Sequence, residues 1–224
     1  MNSQEFQGET LLALEEWLTT RGPLPPRELF KFLRQLAVQL SAQHEQGFLC
    51  GEVTAQNIVI SSEGKLRLRQ NSSSAGAMVA LMDEMCPPEL RDLGPSSIPR
   101  ELAAAAQVLA SAGVRSDPRR IDVYQLGVLA VRVVTGGSVE DYLLRPRVSA
   151  KVPSQLRPVV DQAIGISPSH RFANCEQFLL ELDAAKSPAM AVAPVRETPS
   201  RGVSISSDTD RIKLEKEKAQ KRAG

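Results

Sequence analysis

The segment Asp122–Thr135, DVYQLGVLAVRVVT, constrains this chain more than any other. It has helical length and is apolar nearly all round, so as a helix it has no face to give to water. Such a helix belongs at the centre of a core, with other elements packed around it. Gly136–Gly137 closes it.

The flanking sequence supplies those elements. Thr10–Thr19 carries Leu11, Leu14, Trp17 and Leu18 at helical spacing. RGPLPP then stops the helix, since proline does not fit a helix interior. A second helix is expected over Arg27–Gln46, with Leu29, Leu33, Leu36 and Leu40 on one stripe that Phe30 and Ala37 widen. Gly47 is its natural C′ residue. Asn57–Ile60 and Lys65–Arg69, joined by SSEG, read as a hairpin with Gly64 at positive φ. Ser72–Met85 shows no period and reads as a loop. Helices are expected over Glu101–Ala112, Val139–Leu144, Pro153–Gly165 and Ala173–Ala185, the last with Phe178, Leu179 and Leu182 inward. The fold class is therefore mainly α with one small hairpin. Residues 1–9 read as a flexible N-terminus, 10–185 as the folded domain and 186–224 as a disordered linker and charged tail. Within the tail, Ser207–Arg222 is charged enough for a solvated helix, with Glu217 and Lys221 at i,i+4.

Composition narrows the function classes. With 27 basic and 26 acidic residues the net charge is +1, so no global field points to nucleic acid or a membrane surface. Aromatic residues, at 4%, are too few for a base-stacking platform. Cys50, Cys86 and Cys175 are scattered, odd in number and without CxxC spacing, which argues against a disulfide framework or a zinc site. They read as small buried hydrophobes in a reducing compartment. The start MNSQEFQGET lacks the pattern of a signal peptide. No apolar run reaches the roughly 18 residues of a membrane span. A cytoplasmic location is expected.

The order of motifs resembles the C-terminal lobe of the eukaryotic-type Ser/Thr protein kinases. QLSAQHEQGFLCGEVTAQNIVI is similar to the end of that family's long helix, its catalytic loop and the following strand. DVYQLGVLAVRVVTG resembles the helix DVYSLGVxLYELLTG, and SPSHRF resembles DPxxRF. The likeness covers residues 10–185 and implies a kinase-like C-lobe: a helical bundle with a β-hairpin, the small lobe being absent from this sequence. It also assigns roles. Glu52 falls on the catalytic base, Asn57 on the catalytic-loop Asn and Gln70 on the metal-binding Asp of the Asp-Phe-Gly motif. Asp122 would cap the backbone of the catalytic loop. Arg171 would pair with the Glu of the Ala-Pro-Glu motif, for which Glu89 is preferred and Glu101 remains open. His44 falls where the family has a packing His.

The departures matter as much. His-Arg-Asp reads Cys50-Gly51-Glu52: the base is one methylene longer and the Arg that would pair with a phosphorylated loop is gone. Thr54 stands in place of the Lys that steadies the transferred phosphoryl group. Gln70-Asn71-Ser72 replaces Asp-Phe-Gly, and an amide is a poor exchange for a carboxylate at Mg²⁺. Glu52 and Asn57 thus read first as polar loop residues that bond their neighbours. His170 reads as a surface residue. Thr198, Ser200, Ser204, Ser206 and Ser207 are candidate phosphorylation sites beside Arg196 and Arg201, an ordinary flexible tail being the plainer reading.

The expectation is a degenerate, pseudokinase-like domain without phosphotransfer, working as a protein-interaction, scaffold or regulatory module. It would dock beside the activation segment or on the apolar face that a small lobe would cover, with self-association as a further outcome. Protein partners are expected, and neither nucleic acid nor membrane. No cofactor or metal is expected. The alternative is an active Ser/Thr kinase that uses Mg-ATP and is completed by a partner chain; a third reading is a small helical adaptor.

Overall fold

The computed structural model describes residues 11–69, 78–80, 85–93 and 97–186. Gln70, the N-terminal residues 1–10 and the tail with its Ser/Thr cluster and charged segment lie outside the described residues. At the centre is α4, Arg119–Thr135. From Ile121 to Val131 every residue of it is buried, so the apolar run is enclosed on all sides. Gly136 follows at φ 70, the left-handed geometry that ends the helix.

α2, Leu29–Glu45, packs on α4 along the predicted stripe; Leu29, Leu33, Leu36 and Leu40 are fully buried. A single 3₁₀ turn, Pro26–Glu28, precedes it. Its C-terminus is a Schellman turn: Gly47 N–H donates to His44 O at 3.0 Å and Phe48 N–H to Gln43 O at 3.0 Å, with Gly47 at φ 84. α8, Cys175–Lys186, lies along α2 and buries Phe178 and Leu182; Phe178 meets Phe172 edge-on at 5.5 Å. α7, Arg157–Ala163, closes the other side of α4. It is shorter than the Pro153–Gly165 expected from sequence. Gly127 lies against it, where a Cβ would stand 2.8 Å from Ala163 Cβ. α5, Val139–Leu144, and α6, Pro146–Ser149, follow α4; Ser138 caps α5 by accepting from Asp141 N–H at 3.1 Å.

The sheet differs from the sequence reading in one respect. The hairpin is present as β2, Ile58–Ser61, and β3, Leu66–Leu68, with Gly64 at φ 75. Leu11–Ala13, expected as the first turn of a helix, instead forms β1, antiparallel to β2 with Leu12 opposite Ile60. α1 begins only at Leu14 and runs to Arg21. The first residues of a helix have no intrahelical partner for their N–H groups. Pairing with the open edge of β2 satisfies those groups at little cost to α1.

A second difference lies after the hairpin. Met78–Ala80, inside the expected loop, is β4 and pairs antiparallel with β5, Ser97–Pro99. Runs of three residues are too short for a period of two to register. β5 leads into α3, Leu102–Ser111, which with Leu49, Cys86, Leu90, Ile98 and Ile121 forms a small second core. Among the described residues no helix is long and apolar enough to cross a membrane.

Candidate functional site

The loop Leu49–Asn57 joins α2 to β2 and is held from below by two polar side chains of α4. Asp122, fully buried, accepts from Cys50 N–H at 2.9 Å and Gly51 N–H at 2.6 Å, and from His44 Nε2 at 2.8 Å. Gln125, one turn along and also fully buried, accepts from Val53 N–H at 3.1 Å and donates to Gly51 O at 2.7 Å and Met85 O at 3.3 Å. Unpaired buried backbone groups are costly, so these bonds fix the loop's shape. Gly51 sits at φ 68, which favours glycine for the backbone itself.

Glu52 projects from this loop, but its carboxylate is engaged. Oε2 accepts from Arg100 Nη2 at 3.1 Å and from Asn57 Nδ2 at 3.4 Å. Asn57 also donates to Glu52 O at 3.3 Å, and its own N–H reaches Thr54 O at 3.1 Å. Glu52 and Asn57 therefore meet, as one polar cluster with Arg100 joined through Glu52 Oε2. Arg100 is 7% exposed and comes from the end of β5. That segment is laid along the loop: Leu49 N–H donates to Arg100 O at 2.7 Å and Leu102 N–H to Gly47 O at 2.9 Å. Arg100 is the residue that sequence reasoning missed. Nothing in IPREL marks it, because its partner lies 48 positions away. Gln125 was legible in principle, as an amide within an apolar helix.

Among the described residues the loop's donors fall short of what Mg-ATP usually recruits. Mg²⁺ usually recruits carboxylates together with phosphate oxygens. Here the loop offers one carboxylate already bonded to a guanidinium, and one amide. Among the described residues no group of three His, Cys, Asp or Glu side chains converges to hold a metal. No step through Mg-ATP follows from these residues.

Below the loop, Arg171 meets Glu89 in a bidentate pair, Nη1–Oε1 and Nη2–Oε2 both at 2.8 Å. Glu101, the other candidate, is the residue before α3, and its backbone bridges Phe48. Arg171 also donates to Gly165 O at 2.7 Å, and its guanidinium lies 4.6 Å from the Tyr124 ring centroid. Burial pushes the Tyr124 hydroxyl above its ordinary pKa, against the opposing pull of Arg91 and Arg171. Burial, reinforced by Asp122, pushes the Cys50 thiol up to about 12. Cys175 is raised for the same two reasons. These thiols are poor nucleophiles where they stand.

Beside the hairpin, whose β2 is buried throughout, Leu12, Trp17, Ile60 and Leu66 line a recessed apolar pocket. Exposed large apolar residues sit elsewhere. Leu143, Leu144 and Ile166 are 58%, 71% and 76% exposed and line one groove between α5 and the Pro88–Leu93 turn, with Val128 and Ile164.

No family model matches the chain. Curated relatives do. The Ser/Thr protein kinase PknL of Mycobacterium tuberculosis is 27% identical over 196 residues, covering 76% of this chain and 44% of PknL. PknI of Mycobacterium bovis is 27% identical over 195 residues, covering 78% of this chain and 29% of PknI. The Ser/Thr protein kinase pkn2 of Myxococcus xanthus is 27% identical over 184 residues, covering 77% of this chain and 20% of that protein. The chain thus spans less than half the length of these relatives. Among solved structures, the kinase domain of Mycobacterium tuberculosis PknI superposes with a TM-score of 0.51 at 23% identity, covering 78% of this chain and 62% of that domain. A mutant of that domain gives 0.52 at 24% identity, covering 79% and 62%.

Proposed function

We propose that this protein kinase-like domain is a pseudokinase: it does not transfer phosphate and serves as a protein-binding, regulatory module. One observation carries the reading. At the base position, Glu52 Oε2 is taken up by an ion pair with Arg100 and a hydrogen bond from Asn57. A general base must present a lone pair to the substrate proton. In this arrangement Glu52 instead fastens the segment after β5 to the loop. Thr54 and the Gln70-Asn71-Ser72 sequence support the same reading, since neither provides the cation or the carboxylate that phosphoryl transfer uses.

The groove bearing Leu143, Leu144 and Ile166 favours protein binding, because clustered exposed apolar residues mark interaction surfaces. The runner-up is an active Ser/Thr kinase; the carboxylate retained at Glu52, with Arg100 bringing back a cation lost at Thr54, is what favours it. The test is transfer of labelled γ-phosphate from Mg-ATP to a generic substrate and to the chain itself, by wild type, Arg100→Met and Glu52→Gln. No transfer by any of the three is expected. Transfer by wild type that Glu52→Gln abolishes would refute the reading.

A further inference from the structure

Away from the loop, two adjoining grooves run between the Pro23–Pro26 segment, the start of α2 and the start of α7. They share Pro26, Pro153 and Gln155. One, about 400 Å³, has Phe30 and Leu156 on its floor with Arg27, Lys31 and Lys186 around it. The other, about 700 Å³, adds Leu24, Val134 and Lys151. No Asp or Glu lines either groove, although the chain as a whole carries 27 basic and 26 acidic residues.

These cations are not consumed by the fold in the way Arg100 and Arg171 are. The Arg27 side chain is 85% exposed, and its contact with Glu28 is long, 3.7 Å. Lys186 stands over the Phe30 ring, 4.9 Å from the centroid, so its ammonium marks the edge of the apolar floor. Lys151 donates to Thr135 O at 3.1 Å and keeps its charge at the rim. A recessed apolar floor ringed by one sign of charge attracts a ligand of the opposite sign and orients it.

We propose that this groove docks an acidic segment of a protein partner. Its carboxylates would lie against Arg27, Lys31 and Lys186, and an apolar or proline side chain between them against Phe30 and Leu156. A concave site with a recessed apolar floor suits an extended peptide better than a flat layer of lipid headgroups. The inference rests on the protein-binding half of the reading above, and not on the state of Glu52.

The test is fluorescence anisotropy of the full chain with a labelled Glu-Glu-Leu-Pro-Glu-Glu peptide at low salt. A Lys-Lys-Leu-Pro-Lys-Lys peptide and phosphatidylserine vesicles form separate arms. Saturable binding of the acidic peptide is expected, weakening with added salt. Exposed ion pairs are each worth up to about fivefold, so Arg27→Glu with Lys31→Glu should weaken binding roughly tenfold, within the ceiling of about 25-fold that two such pairs set. Arg145→Glu, a charge reversal just past the end of α5, should leave it unchanged. If the double reversal lowers the melting temperature, Arg27→Gln with Lys31→Gln carries the comparison. Absence of acidic-peptide binding, binding undiminished in both double variants, or binding to vesicles alone overturns the proposal. Nucleotide titration reads the pseudokinase assignment independently, so the two failures are distinguishable.

Discussion

Replacing Glu89 by Gln tests the ion pair that ties the Pro88–Leu93 turn to the base of the domain. The Arg171 side chain has no exposure, while Glu89 keeps 14%. Two of the guanidinium's bonds, both 2.8 Å, go to Glu89. The rest go to the carbonyls of Gly165 and Ile166. The substitution keeps size and one acceptor but leaves a buried cation without a counter-charge. Breaking a buried pair in this way costs about 3–5 kcal/mol. Water reaches Glu89 and two carbonyls still hold Arg171, so the expected value is about 3 kcal/mol. For a domain of this size each kcal/mol lowers the melting temperature by about 2–4 °C, giving a fall of roughly 6–12 °C by differential scanning calorimetry. Glu101→Gln is the internal control: the fold uses that residue's backbone, so its cost should stay within about 0.5 kcal/mol. Glu89→Gln combined with Arg171→Met should cost less than the sum of the single changes, since the orphaned charge is gone. Equal losses for Glu89→Gln and Glu101→Gln, or a Glu89→Gln loss below about 1 kcal/mol, would show that the Glu89–Arg171 pair does not hold the turn.

Other consequences are as direct. Gly47→Ala should cost about 1–2 kcal/mol in urea melts, purely from its φ of 84, because no atom lies within 4 Å of the added Cβ. Stability should fall as pH rises above about 9: the Cys50 thiol ionises near its usual value in the unfolded chain but only at about 12 when folded, so its stabilisation is complete below pH 9 and is lost progressively as pH rises towards 12. Cys50→Ala should make that fall shallower in pH-dependent denaturant melts, Cys175 supplying the remainder; an unchanged fall would exclude Cys50 as a source. Arg100→Met should destabilise the domain by about 1–3 kcal/mol, by removing the cation from Glu52, without producing phosphotransfer. Ile166→Glu should leave the melting temperature within about 2 °C, as expected for an exposed site, while abolishing capture of any partner that uses the α5 groove.

The parts of the fold legible in sequence were those governed by strong local signals. The all-round apolar Asp122–Thr135 run, the Leu29–Leu40 stripe, Gly64 in its turn and the Pro-rich break after α1 each act over a few residues. β1 was misread because Leu11, Leu14 and Leu18 fit a helical stripe whether or not the first turn forms; the free edge of β2, nearly fifty residues away, decides the outcome. β4 and β5 were invisible because three residues carry no period. At the site, Glu52, Asn57 and Asp122 could be located by motif order. What Glu52 bonds to could not, since Arg100 is delivered by a strand and a loop pairing with no sequence signature. Gly51 read as the loss of an arginine; its φ of 68 shows that the position also has a backbone requirement.

Whether this domain takes up a nucleotide at all is decided by titration calorimetry of the full chain with ATP, in the presence and absence of Mg²⁺. No heat of binding beyond dilution is expected in either condition, for wild type and for Asn57→Ala alike. Saturable Mg²⁺-dependent binding that Asn57→Ala abolishes would contradict that expectation, and would mean that the Glu52–Arg100–Asn57 cluster opens to take a nucleotide.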